Sequence, residues 1–195
     1  MQKNRREKEN ARLRAFVNRI GGIKAYEDFT FDKFLTSWGQ QEAFDAAYRF
    51  HPDHDNLFLW GPSRVGKTHL ATAIARMYFE RGDSIQIITV LEFKDLLRQF
   101  ESEHRYADKI QFLTNLVEAR ILIIHELGRG KITELVQENL WSILERRILA
   151  RRNGFIGTSN FSLMDIGRTH GGTISARIAE LCTNKGIVKF RERAA

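Results

Sequence analysis

The sequence predicts an α/β fold, a three-layer sandwich around a five-stranded parallel sheet, and the alternation of two kinds of segment carries that prediction. Short apolar runs typical of buried strands lie at 56–60, 85–90, 120–124, 154–158 and 186–190. Helix-forming stretches follow them at 67–80, 91–102, 106–118, 132–151 and 172–182. Strands that alternate with helices form parallel sheets, because each helix returns the chain across one face of the sheet. Ligands of such sheets bind at the carboxyl ends of the strands, so the residues after each strand are the first candidates for function.

Composition excludes several classes of protein. The chain has 195 residues, 43% of them hydrophobic and 28% charged, which is enough for one well-buried α/β domain. Its single cysteine, Cys182, excludes an internal disulfide framework and a cysteine-based zinc finger, and it suits a reducing compartment. No apolar run approaches the roughly 20 residues of a membrane span, and the N-terminus lacks the apolar core of a signal peptide. We therefore expect a cytoplasmic protein with no membrane partner.

The first element is a basic N-terminal arm, residues 1–24, which we separate from a domain at 25–195. The arm holds eight of the 31 Lys and Arg residues and two of the 24 Asp and Glu residues, so most of the net charge of +7 belongs to it. Helical spacing of its apolar residues predicts a helix that ends at Gly21-Gly22, with the stripe Leu13, Phe16, Val17 and Ile20. Such an arm binds nucleic acid or another polyanion, or it is a solvated tail. Whether the helix docks on this domain, on a neighbouring subunit or on a partner stays open.

An aromatic segment and a short helix precede the sheet. The aromatic residues of 26–34 are Tyr26, Phe29, Phe31 and Phe34. A helix is predicted around 40–50, because Phe44, Ala47 and Tyr48 fall on one helical face.

The loop after the first predicted strand carries the strongest functional signal. The sequence Gly61-Pro62-Ser63-Arg64-Val65-Gly66-Lys67-Thr68 fits the P-loop pattern and lies between a predicted strand and a predicted helix, the context that makes the pattern specific. Its backbone N–H groups and the helix N-terminus attract polyphosphate, and glycine lets the chain approach closely. Lys67 is expected to reach the β- and γ-phosphates, and the Thr68 hydroxyl to ligate Mg²⁺. The predicted cofactors are ATP and Mg²⁺, and the predicted nucleotide-binding residues are Gly61, Pro62, Ser63, Arg64, Val65, Gly66, Lys67, Thr68 and His69.

The third predicted strand ends at the second half of the nucleotide site. The apolar run 121–124 leads into His125-Glu126, where most P-loop ATPases of this architecture carry Asp-Glu. Glu126 is the predicted general base that polarises the attacking water. His125 occupies a position of the Mg²⁺ site, but it supplies no negative charge and Mg²⁺ prefers oxygen ligands. Three interpretations of His125 stay open. The site binds nucleotide but hydrolyses it weakly, or another carboxylate compensates for the missing aspartate in a natural variant, or the histidine was introduced by engineering or during laboratory passage.

The fourth predicted strand leads into Thr158-Ser159-Asn160. We predict that the Asn160 amide hydrogen-bonds the γ-phosphate and the attacking water. The alternative is that Asn160 caps the short helix predicted at 162–166.

These motifs, in this order, resemble the DnaC/DnaI/IstB branch of the AAA+ ATPases, which comprises bacterial helicase loaders and the ATP-dependent helpers of some transposases. The resemblance covers about residues 26–190 and rests on the segments 61–71, 123–128, 158–163 and 173–182. It implies phosphate and Mg²⁺ roles for Lys67 and Thr68, a catalytic role for the acidic Glu126 and a sensor role for Asn160. It also implies that Arg177 is an arginine finger that reaches the γ-phosphate of a neighbouring subunit, with Arg168 as the runner-up. Homo-oligomers, single-stranded DNA, and a replicative helicase or a transposase are the partners that the resemblance implies.

Two departures from the family bear on function. The first is His125, which puts the rate of ATP hydrolysis in question. The second is that the chain ends soon after the last strand, so we expect no C-terminal helical lid. Candidate contacts to a DNA backbone are His104, Arg105, Arg129 and Lys131. The leading hypothesis is a helicase-loader-like DNA replication protein that assembles with ATP and single-stranded DNA. The alternatives are a transposase helper and a weakly hydrolysing ATP-dependent scaffold, while a small-molecule kinase is disfavoured because no acceptor-substrate segment is evident.

Overall fold

The computed structural model describes residue 11 and residues 28–36, 39–130 and 132–192. The predicted arm helix within 1–24, Tyr26 and Lys131 lie outside these ranges. The described part contains five strands: β1 Leu57–Trp60, β2 Ile85–Thr89, β3 Ile121–Leu127, β4 Phe155–Ser159 and β5 Ile187–Lys189. Its seven helices are α1 Gln41–Tyr48, α2 Lys67–Glu80, α3 Val90–Ser102, α4 Tyr106–Glu118, α5 Glu134–Leu149, α6 Leu163–His170 and α7 Gly172–Gly186.

The five strands form one parallel sheet in the order β2-β3-β4-β1-β5. This confirms the predicted α/β sandwich with a five-stranded parallel sheet. Strand β1 lies between β4 and β5, and β4 lies beside β3, although these strands are far apart along the chain. The carboxyl ends of β1, β4 and β3 are therefore neighbours, which brings the P-loop next to the two other predicted site segments.

Two apolar cores lie on opposite faces of the sheet, because side chains alternate along each strand. Leu57 and Leu59 of β1 face the core that α1 and α2 cover, and Phe58 faces the core that α3, α4, α5 and α7 cover. Burial on both faces explains why the strands read as continuous apolar runs rather than as alternating ones. No helix within the described ranges combines the length and the apolar character that a membrane span needs.

Strand β3 is longer than predicted and contains an irregularity at the site. The prediction ended it at residue 124, but it continues to Leu127, with a register shift against β4 between Ile124 and Leu127. Glu126 has a φ of +62°, in the left-handed region, and its N–H donates to Thr158 Oγ1 at 3.2 Å. The bulge lets Glu126 leave the regular pleat, while His125 stays in register with Thr89 of β2 and the strand pairs with β4 again at Leu127. The spacing of apolar residues along the sequence does not predict such a bulge.

Arg147 of α5 is fully buried and joins this helix to the starts of two strands. Its guanidinium donates to the carbonyl oxygens of Val117 (2.8 Å) and Ala119 (2.9 Å), which lie just before β3. It also donates to the carbonyl oxygen of Asn153, just before β4. Burial lowers the pKa of Arg147 to about 10, because in the described part the guanidinium meets carbonyl dipoles rather than a carboxylate. One side chain therefore fixes the strands that carry Glu126 and Asn160 at their other ends.

Candidate functional site

The P-loop connects β1 to α2, and two of its backbone positions require glycine. Gly61 has a φ of +142°, and a Cβ there would lie 2.6 Å from the carbonyl oxygen of Phe190. Gly66 has a φ of +105°, and a Cβ there would lie 2.6 Å from Cε2 of Phe34. Helix α2 begins directly after Gly66, so its free N–H groups and its dipole point into the loop. These features suit the binding of a polyphosphate.

Arg64 stands in the middle of the loop in an unusual conformation. Its φ of +64° places a side chain with a Cβ in the left-handed region, which costs about 1–3 kcal/mol. The side chain is exposed and lines the cavity described below, so the loop carries a second cation besides Lys67.

Lys67 is the buried cation of the site. Its side chain is 7% exposed, and Nζ donates to the carbonyl oxygens of Gly61 (2.8 Å) and Pro62 (2.5 Å). Burial lowers its pKa to about 8, because neither carbonyl supplies a negative charge. A phosphate beside Nζ would favour the charged form and restore the ordinary pKa.

His125 contacts the residue that the sequence assigns to Mg²⁺. Its Nε2 lies 2.8 Å from Thr68 Oγ1, and the ring is 6% exposed. Burial is the main cause that lowers its pKa to about 4, so the imidazole is neutral at pH 7. A neutral ring with the proton on Nδ1 accepts a hydrogen bond from the Thr68 hydroxyl, as an aspartate at this position would. It differs from aspartate in carrying no negative charge.

Glu126 lies at the mouth of the same site and is paired within its own chain. Its Oε1 is 2.5 Å from an Nη of Arg129, whose side chain is 70% exposed. Glu92, at the start of α3, is engaged too: its carboxylate accepts from the N–H (3.0 Å) and the hydroxyl (2.9 Å) of Thr89 in a capping box. Both carboxylates therefore have partners already.

These elements surround one cavity of about 700 Å³ at the carboxyl ends of the strands. It brings together the P-loop, the end of β3 and the end of β4, as the sequence predicts. The lining residues comprise Phe29, Ser63, Arg64, Gly66, Lys67, Thr68, His69, Thr89, Leu91, Glu92, His125, Glu126, Arg129, Thr158, Ser159 and Asn160. Gly61, Pro62 and Val65 belong to the loop but not to this lining. A cavity of this size and these donors fits a nucleoside triphosphate.

The same residues do not fit magnesium well. Of the oxygen ligands that Mg²⁺ prefers, the Thr68 hydroxyl contacts His125, Glu126 is paired with Arg129, and an imidazole replaces the carboxylate that the metal site of such ATPases has. Within the described ranges no group of three His, Cys, Asp or Glu side chains is arranged to hold a metal ion.

Asn160 is exposed and lines the cavity directly after β4. The alternative that it caps the following helix is wrong, because Ser162 is the N-cap of α6 and its hydroxyl accepts from the N–H of Asp165 at 3.2 Å. The predicted contact of Asn160 with the γ-phosphate and the attacking water stays a prediction.

The two arginine-finger candidates lie away from the cavity. Arg177 on α7 pairs with Glu145 (2.7 Å) and Glu180 (2.6 Å), and Arg168 on α6 lies 3.7 Å from Asp165. Neither lines the cavity of its own subunit. A role in trans stays a prediction for Arg177.

Sequence reasoning missed two parts of the lining. Thr89 ends β2 and Glu92 lies in the first turn of α3, where the Thr-x-x-Glu spacing of a capping box follows a strand and could have marked the position. Phe29 comes from the aromatic segment before α1 and stacks on His69, with ring centroids 4.8 Å apart. His69 in turn lies with Nε2 2.7 Å from the carbonyl oxygen of Thr30. No local pattern predicts that this segment reaches the P-loop.

The fold and the site together define a P-loop nucleotide-binding domain of the AAA+ class, with its cavity at the carboxyl ends of β1, β3 and β4. Comparison with known protein families narrows this class to one family. The profile of the family described as "IstB-like ATP binding protein" matches residues 1–178, and the chain belongs to that family.

The similar proteins include two kinds: replicative helicase loaders and ATP-binding proteins of insertion sequences. The replicative helicase loader DnaC of Escherichia coli (strain K12) is 25% identical over 165 residues, which are 82% of this chain and 67% of DnaC. A protein of insertion sequence IS5376 from Geobacillus stearothermophilus, named for ATP binding, is 30% identical over 122 residues, which are 63% of this chain and 47% of that protein. The chain thus spans about half to two thirds of the length of these relatives.

The fold also matches solved structures. The replication initiator DnaA bound to AMPPCP and single-stranded DNA aligns with a TM-score of 0.73 at 15% identity, over 84% of this chain and 50% of that one. At this identity the likeness establishes the fold.

Proposed function

We propose that this protein is a DNA-associated ATPase of the helicase-loader type, which assembles with ATP and single-stranded DNA and hydrolyses ATP weakly. One observation carries the proposal: the P-loop, Glu126 and Asn160 line a single cavity. The likeness to DnaC, a replicative helicase loader by name, supports the choice of loader. The replication initiator DnaA, which has a similar fold, was solved in complex with single-stranded DNA, and this supports single-stranded DNA as a partner.

In the proposed reaction the P-loop N–H groups and Lys67 bind the phosphates, and Asn160 orients a water molecule beside the γ-phosphate. Glu126 accepts the proton of that water as its oxygen attacks phosphorus, and the bond to the ADP oxygen breaks. Glu126 must first release Arg129, because its Oε1 already accepts a hydrogen bond from that guanidinium at 2.5 Å. Mg²⁺, when bound, would neutralise phosphate charge beside Thr68. The neutral His125 attracts that metal less than a carboxylate would, which supports slow turnover.

We further propose that Arg177 acts in trans. An arginine finger makes hydrolysis depend on assembly, and in related enzymes it raises kcat by a factor of about 10³–10⁵. Because Arg177 is held by Glu145 and Glu180 in the single chain, assembly must exchange these two partners for the neighbour's phosphate.

The test measures molar mass and ATP turnover together, with ATP present and with or without single-stranded DNA. We expect a mass well above the 22.7 kDa of one chain and a turnover that changes when DNA is added. The matched control is Lys67→Ala, which keeps the fold elements but removes the phosphate contact, and which should stay at the monomer mass. A wild-type monomer whose turnover ignores DNA would overturn the proposal.

The second candidate is a transposase helper. The family match and the IS5376 relative favour it, since an insertion sequence encodes that relative. Pull-down with a replicative helicase and with a transposase, each in the presence of ATP, separates the two candidates. Retention of the transposase alone would replace the loader proposal with the helper.

A further inference from the structure

The cavity differs from an ordinary ATPase site in its charge. Besides Lys67 it is lined by two exposed arginines, Arg64 and Arg129, against the two carboxylates Glu92 and Glu126. His125 adds no negative charge in either protonation state. Three cations therefore face two anions, where an aspartate at residue 125 would have balanced them.

The geometry removes the usual attraction for the metal as well. In a magnesium site of this kind the carboxylate draws the cation electrostatically and accepts hydrogen bonds from its water ligands. The imidazole of His125 has one acceptor nitrogen at most, and its Nε2 is already 2.8 Å from Thr68 Oγ1. Glu126 is drawn toward Arg129 at 2.5 Å, and Glu92 accepts two hydrogen bonds from Thr89.

The positive charge that Mg²⁺ normally brings is present in the protein instead. Nζ of Lys67 is buried among carbonyl oxygens, so a phosphate there gains a strong charge-assisted hydrogen bond. Arg64 lies within the loop that wraps the phosphates, and Arg129 follows the bulge that carries Glu126. Arginine suits this task because its planar group binds phosphate with two parallel hydrogen bonds.

We propose that this site takes a nucleoside triphosphate almost independently of Mg²⁺, because His125 replaces the metal-attracting carboxylate while Arg64, Lys67 and Arg129 neutralise the phosphates. The inference rests on the proposed function, since it specifies the form of nucleotide that the same cavity binds. Residue 125 is then the determinant of metal dependence in nucleotide binding.

The experiment measures the affinity of the full chain for a fluorescent ATP analogue in excess Mg²⁺ and in excess EDTA. Two substitutions at one position isolate the charge: His125→Asp adds a carboxylate, and His125→Asn has nearly the same shape without it. Thermal unfolding of each variant checks that it is folded. Lys67→Ala serves as the control for binding at the P-loop.

We expect the affinity of the wild-type protein and of His125→Asn to change by less than about threefold between the two buffers. The affinity of His125→Asp should fall by about tenfold or more when EDTA removes the metal, which is the usual weight of a group that supports a metal ligand.

Wild-type binding that falls by about tenfold in EDTA would overturn the inference and leave the proposed function standing. A folded His125→Asp variant that is indifferent to the metal would overturn it too. Wild-type protein that binds the analogue in neither buffer, or binds no better than Lys67→Ala, would overturn the proposed function and this inference together.

Discussion

Replacing Arg147 by methionine removes the guanidinium that ties α5 to the starts of β3 and β4, and keeps a flexible apolar side chain of similar length. Three carbonyls lose their charged donor: those of Val117 and Ala119, which are buried, and that of Asn153, which is partly buried. Hydrogen bonds to charged groups contribute about 2 kcal/mol each, so about 6 kcal/mol is lost. The desolvation cost of the guanidinium is removed at the same time. That cost, together with the smaller repulsion from Arg152, lowers the pKa of Arg147 from 12.5 to about 10, which corresponds to a difference on the order of 3 kcal/mol.

The net expectation is a loss of about 3 kcal/mol in the free energy of unfolding. For a chain of this size this corresponds to a fall in Tm of about 6–12 °C. Urea denaturation followed by circular dichroism measures the free energy, and a thermal scan measures Tm. Arg146→Met is the matched control, because Arg146 is the preceding residue of the same helix and is exposed. If the two variants lose the same stability, the hydrogen bonds of Arg147 do not stabilise the fold and the reasoning is refuted.

Three further predictions concern the site. His125→Asp should raise ATP turnover by about tenfold or more in Mg²⁺; unchanged turnover with unchanged Mg²⁺ dependence would contradict it. Burial lowers the pKa of His125 from its ordinary 6.5 to about 4, so between these values the unfolded chain binds a proton that the folded chain does not, and stability falls as the pH drops. His125→Asn should reduce this acid-induced loss in urea titrations at pH 7 and pH 4.5, and an identical loss would exclude His125 as its source. Arg177→Ala should lower the turnover of the assembled protein by about 10³, with Arg168→Ala as the control; equal effects of the two would remove Arg177 as the finger.

The sequence predicted what depends on local pattern. Helix α2 begins and ends where it was predicted, at Lys67 and Glu80, since the P-loop fixes its start. The alternation of strands and helices predicted the parallel sheet, and the sheet in turn brings Lys67, Glu126 and Asn160 to one edge.

Contacts between distant segments could not be predicted. The spacing of apolar residues says nothing about the bulge at Glu126 or about its pairing with Arg129, because both depend on β4 and on the loop beyond β3. The pair of Arg177 with Glu145 could not be predicted either, since Glu145 belongs to another helix. In the sequence, Arg147 is one of two basic residues in the last turn of α5, a pattern typical of an exposed helix end. Its burial depends on the packing of α5 against α4, which the sequence pattern does not show.

The aromatic segment before α1 couples its own position to the nucleotide cavity, because three of its residues contact the P-loop region. Phe34 fills the space beside Gly66, the carbonyl oxygen of Thr30 meets His69, and Phe29 lines the nucleotide cavity. The segment 28–36, which follows the basic arm in the sequence, thus contacts the domain at its ligand site rather than at a remote surface. A partner that pulled this segment away from the P-loop would alter the affinity for nucleotide, and by thermodynamic linkage the nucleotide would alter the affinity for that partner by the same factor.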